Sequence, residues 1–140
     1  MHRPKIARGI IKMAINFNQN SVFNLKPINP SSVRSEVQGL LINGEGVMFA
    51  FQTVRDQLVF TNKRIIAIDV QGLTGRRKSF STMPYSKVQY FSIQTPGFAE
   101  IFPDSELFLM FSSGFTAKFE FKGQVDIGAI GRMISEYVLE

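Results

Sequence analysis

Cysteine and tryptophan are absent from this 140-residue sequence, and histidine occurs once, at His2. Without thiols there are no disulfides and no thiolate metal sites. One histidine beside the amino terminus cannot build a histidine metal cluster or a Ser-His-Asp relay within a single chain. No apolar run approaches the roughly 18 residues that read as a membrane-spanning helix. Ile10–Phe17 is too short, is broken by Lys12, and is not followed by a small-residue cleavage pattern, so no secretory signal is expected. Glycine-rich phosphate loops, nucleophile elbows and metal-ligand spacings are missing too. Asp104 and Glu106 are close in sequence, but proximity alone does not make an acid–base pair. The expectation is a cytoplasmic protein with no catalytic residue, no metal and no cofactor.

What is present is phenylalanine: 14 Phe against 3 Tyr, within an apolar fraction of 44%. Phe and β-branched residues favour pleated, half-buried surfaces, which points to a β-rich core. A chain of this length fits one domain able to bury about two-thirds of its unfolded surface. The formal charge of +5 is unevenly spread. Residues 1–35 hold Arg3, Lys5, Arg8, Lys12, Lys26 and Arg34 and no acid, whereas the remainder is close to neutral. The basicity therefore belongs to an N-terminal extension and is no sign of a nucleic-acid-binding face.

Spacing organises the chain as follows. Ile6, Ile10, Met13 and Phe17 share one face of a short amphipathic helix over 4–17, with Lys5, Arg8 and Lys12 on another. Lys26–Pro30 reads as a linker, so residues 1–30 form a basic extension and 31–140 the domain. Ser31 or Ser32 is the expected N-cap of a helix over about 31–42, with Val33, Val37, Leu40 and Leu41 as its apolar stripe and Asn43-Gly44 closing it. From Gly46 to about 122 the period becomes two. Seven strands follow: Val47–Arg55, Leu58–Asn62, Lys63–Val70, Arg77–Thr82, Lys87–Thr95, Glu106–Phe111 and Phe115–Phe121. Ile65-Ile66-Ala67-Ile68 predicts a strand buried on both faces or crossing a barrel. In Lys87–Thr95, alternation sets Val88, Tyr90 and Ser92 on one face and Phe91 and Ile93 on the other. A helix over about 124–139 presents Ile127, Ile130, Ile134, Tyr137 and Val138, with Asp126 placed to complement its dipole. The fold class is mainly β, a barrel or sandwich closed by a C-terminal α-helix.

The order of elements, together with Val54-Arg55-Asp56, the stretch Leu58–Arg64, Asp69–Gly75, Met83-Pro84-Tyr85 and Lys122–Asp126, resembles the bacterial pleckstrin-homology (PH) domain family over residues 31–140. The resemblance implies a PH-like split barrel of two bent sheets with the helix across one corner. It also implies cytoplasmic location, no known catalysis and ring-like homo-oligomers. Many eukaryotic PH domains bind phosphoinositides through a basic loop between their first two strands. Arg55-Asp56-Gln57 occupies that place here, and one cation beside one anion cannot cradle a multiply charged phosphate.

Three groups of residues remain as candidate sites. Arg76, Arg77 and Lys78 beside the Gly-rich hairpin form an anion-binding candidate. Lys5, Arg8, Lys12, Ile6, Ile10, Met13 and Phe17 are candidates for contact with a membrane or a neighbouring subunit. Phe98, Ile101 and Phe102, between Gly97 and Pro103, mark a candidate interface. The leading expectation is a PH-like interaction domain whose partner is itself, assembled in a closed ring, with other proteins as further partners. The alternative is a peripheral adaptor on anionic membrane.

Overall fold

The computed structural model describes residues 21–97 and 104–139. Eight strands form a continuous sheet: β1 (Ser21–Ile28), β2 (Val47–Gln52), β3 (Gln57–Thr61), β4 (Arg64–Gln71), β5 (Arg77–Pro84), β6 (Val88–Gln94), β7 (Ser105–Phe111) and β8 (Thr116–Phe121). Helix α1 (Ile127–Val138) follows. The spatial order is β5-β4-β3-β2-β1-β8-β7-β6, so among the described residues β5 and β6 are the two edges and the barrel is split between them. The mainly β class and the terminal helix are as expected. All seven expected strands are present, with their ends moved by a few residues.

The eighth strand corrects the reading of residues 26–30 as a linker. β1 joins the two halves of the sheet, pairing antiparallel with β2 through Lys26, Pro27 and Ile28 and parallel with β8 through Ser21, Val22 and Leu25. Its inward residues, Val22 and Leu25, are three apart because the register shifts between them, where Asn24 adopts φ 60°. That break hides the strand from a period-two reading.

The expected helix over 31–42 is replaced by two short 3₁₀ turns, Pro30–Ser32 and Ser35–Leu40. The cap of the first is Asn29, whose Oδ1 accepts from Ser31 N–H at 2.9 Å, rather than Ser31 or Ser32. Val33 and Arg34 between the turns are extended, because this segment is tied to the sheet. Arg34 N–H donates to Gln57 Oε1 at 3.0 Å, and Gln57 Nε2 donates to Ser32 O at 3.3 Å. Val37 thereby drops into a small cluster with Val59, Ile66 and Ile68 on the outer face of the sheet. This is why β4 is buried on both faces, as its apolar run predicts: Ile65 and Ala67 face the main core, Ile66 and Ile68 this second one.

The main core accounts for the phenylalanine. Phe51 lies 4.6 Å from Phe121 and 5.7 Å, edge-on, from Phe60, centroid to centroid. α1 covers one opening of the barrel with Ile127, Ile130, Met133 and Ile134, and each such burial contributes about 1.5–3 kcal/mol. Asp126 Oδ1 caps it by accepting from Ala129 N–H at 3.0 Å. In β6 a register shift between Val88 and Tyr90 overturns the expected alternation. Val88 shares the core side with Phe91, while Tyr90 is half exposed.

Candidate functional site

The stretch Thr61-Asn62-Lys63-Arg64 is a structural staple between β3 and β4. Thr61 Oγ1 accepts from the N–H groups of Lys63 and Arg64, both at 3.0 Å, which closes the hairpin. It donates to Glu45 Oε2 at 2.6 Å. Arg64 holds the same carboxylate in a fork, Nε to Oε2 at 2.8 Å and Nη2 to Oε1 at 3.1 Å. Nη1 reaches Thr82 Oγ1 on β5 at 3.1 Å. Asn62 accepts from Gly46 N–H and donates to Gly44 O, each at 2.9 Å. Burial alone would push the Glu45 carboxyl up, but the hydrogen bonds from Arg64, Thr61 and the Ile42 N–H outweigh it and hold it below the usual carboxylate range. Tyr85 OH donates to Thr61 O at 2.8 Å, and burial, with Tyr137 and Glu45 nearby, pushes its phenol up.

At one end of the barrel the β2–β3 and β4–β5 hairpins lie side by side. Asp56 turns inward and accepts from Val70 N–H at 2.6 Å. Arg55 Nη2 donates to Gly72 O at 2.6 Å, and Arg34 Nη2 to Arg55 O at 3.0 Å. The cation expected in the first hairpin is thus bound to the second. Arg76, Arg77 and Lys78 do not converge. Lys78 lies on the same face as Phe80 and pairs with Glu36 at 3.3 Å, and Arg77 alternates to the opposite face. The Glu36 carboxyl is held below its usual range by a backbone hydrogen bond and then by Lys78. Arg76 and Arg77 are exposed, and Arg34 and Arg55 add to the same corner. Val54 and Leu73 stand fully exposed at the two tips. Spacing could not connect these groups, because the hairpins are distant in sequence.

The sequence matches the family model for the bacterial PH domain over residues 16–138. The chain belongs to the bacterial PH domain family. It is similar to the uncharacterized protein YjqA of Bacillus subtilis, 40% identical over 84 residues, which is 60% of this chain and 66% of that protein. Among solved structures, it resembles a pleckstrin-homology-domain protein of Shewanella loihica with a TM-score of 0.68 and 31% identity, over 81% of this chain and 97% of the other. A pleckstrin homology domain from Shewanella amazonensis aligns with a TM-score of 0.58 and 32% identity, over 81% and 90% of the two chains.

Among the described residues this bacterial PH domain has a further surface at each edge of the sheet. Beside β5 an apolar groove of about 800 Å³ runs from Ser81–Pro84 past Lys87 to Phe111, Ser113 and Phe115. Beside β6, Tyr90 leans on Phe108 at 6.1 Å and is half exposed, with Ile93 also exposed. Phe98, Ile101 and Phe102, in the connection after β6, lie outside the described residues, as do Lys5, Ile6, Arg8, Ile10, Lys12, Met13 and Phe17. No helix among the described residues is long and apolar enough to cross a membrane.

Proposed function

We propose that this bacterial PH domain is a non-enzymatic, cytoplasmic interaction module that associates with copies of itself into a closed, ring-like homo-oligomer. The observation that carries the reading is the β6 edge, unpaired among the described residues, with Tyr90 half exposed on it. A second, separate apolar patch, Leu40, Ile42 and Met48, surrounds the start of β2. Two different patches give a heterologous contact, one copy's β6 edge meeting the next copy's β2 patch, and heterologous contacts form rings where the rotation between copies closes. Light scattering behind size exclusion is expected to give one discrete species above the monomer mass. A monomer at every concentration overturns the reading.

A second reading rests on the hairpin corner. Val54 and Leu73 would enter the interfacial layer of an anionic membrane while Arg55, Arg76 and Arg77 meet its headgroups, each cation contributing about 1 kcal/mol near the surface. Lys5, Arg8 and Lys12 would add to that attraction. Co-sedimentation with phosphatidylserine vesicles at low salt, lost at high salt and lost on Leu73→Asp, is the expected result. No sedimentation at low salt removes this reading.

A further inference from the structure

Asn43 and Gly44, expected to close a helix, form the corner of a turn instead. Glu45 N–H donates to Ile42 O at 3.0 Å, Gly44 stands at φ 79° and Asn43 at negative φ, which is the geometry of a type II turn. Further bonds hold it in place. Ile42 N–H donates to Glu45 Oε1 at 3.0 Å, and Asn62 Nδ2 donates to Gly44 O at 2.9 Å. Arg64 grips both the Glu45 carboxylate and Leu40 O. The Asn43 side chain takes no part: it is exposed and has no hydrogen-bond partner among the described residues. Of the chain's asparagines it alone is followed by glycine, so no Cβ shields the nitrogen that comes after it.

We propose that Asn43-Gly44 is a self-modification site, deamidated through a cyclic imide and kept unreacted by the Glu45 staple. In the reaction Gly44 N loses its proton and bonds to Asn43 Cγ, the Cγ–Nδ2 bond breaks, and Nδ2 leaves as ammonia with that proton. Water then adds to one of the two imide carbonyls and the ring C–N bond opens, with no change of oxidation state. Opening at Cγ leaves aspartate. Opening at the backbone carbonyl leaves isoaspartate, whose main chain runs through Cβ. The type II turn sets the peptide after Asn43 near ψ 120°, about 120° of rotation from the arrangement in which Gly44 N comes into line with Cγ. That rotation carries Gly44 O away from Asn62 and Glu45 away from Ile42, so the bonds to Asn62 and Arg64 set how often the turn opens. Isoaspartate adds a backbone bond to a four-residue turn, which displaces Glu45 from Arg64 and Thr61. The change runs one way: the staple delays it, and the isoaspartate product loosens the staple. It involves neither edge of the sheet and stands whether or not the chain self-associates.

The test incubates the full chain at neutral pH and reads the amide-to-acid mass change at position 43 by peptide mapping. Folded wild type is expected to react slowly, and the same chain in urea much faster. Glu45→Gln is expected to react about tenfold faster than wild type while still folded, the factor for one lost hydrogen bond to a charged group. Asn62→Ala, which frees Gly44 O and leaves the Glu45–Arg64 pair in place, is expected to react faster too, and it decides the matter should Glu45→Gln not fold. Leu25→Ala, in the main core, lowers stability without touching the turn and is expected to keep the wild-type rate. Rates equal to wild type in both turn variants overturn the proposal. So does equal acceleration in Leu25→Ala, which assigns the reaction to global unfolding, or an intact Asn43 after long incubation in urea, which removes the site. Wild type carrying isoaspartate, separated by ion exchange, is expected to melt below the unreacted chain. An unchanged melting temperature overturns the link from product to staple.

Discussion

Glu45 has a fully buried side chain, and Arg64 beside it is 18% exposed. A buried pair of this kind gains little over an apolar pair, but removing one partner strands the other. Glu45→Gln is therefore expected to destabilise the fold by about 3 kcal/mol in denaturant titrations at neutral pH. The sign with pH follows from the lowered carboxyl. Its stabilisation is fully present above the ordinary value of 4.5 and is lost as pH falls through the lower value in the folded state. The stability gap between wild type and Glu45→Gln should thus narrow on acidification below about 4.5. A gap unchanged with pH would mean that the carboxylate contributes as a shape and not as a charge. Thr61-Asn62-Lys63-Arg64 was legible in the sequence as a family feature, yet its purpose was not, since Glu45 and Thr82 meet it only through the fold.

At the scale of elements, β1 and α1 give opposite lessons. Leu25 is 1% exposed in a strand that joins both halves of the sheet. Leu25→Ala should cost about 2–5 kcal/mol, a loss that residues of a linker would not produce. A chemical-denaturation midpoint unchanged from wild type would return Ser21–Ile28 to the N-terminal extension. α1 was readable because its 3.6-residue period is unbroken and Asp126 stands at its start. Gly131 within it faces β6, where an added Cβ would sit 3.5 Å from Ile93, an ordinary contact. Gly131→Ala should therefore raise stability by up to about 1 kcal/mol through helix propensity alone. Gly131→Leu has no such room and should lower the melting temperature. The 3₁₀ turns at 30–40 were misread because Val33, Val37 and Leu41 fit a helical stripe. Gln57 and the outer cluster pull them out of it, and neither is local.

For the whole molecule, the split between β5 and β6 decides which surfaces can bind. If β6 is the self-association edge, the substitution Tyr90→Arg should reduce the assembly to monomer in light scattering while leaving the thermal melt intact, since Tyr90 is 52% exposed. Retained high mass would move the contact elsewhere. The sequence alone determined the class, the seven period-two strands, the capped terminal helix and the family, because these depend on side-chain alternation and local turn chemistry. Only the tertiary structure decided that β1 bridges the sheet, that Arg55 is bound by Gly72, that Arg76, Arg77 and Lys78 diverge, and that a groove opens beside β5. Each of those is a meeting of residues far apart along the chain. Periodicity fixes which face a residue presents, but the order of strands in space fixes what that face meets.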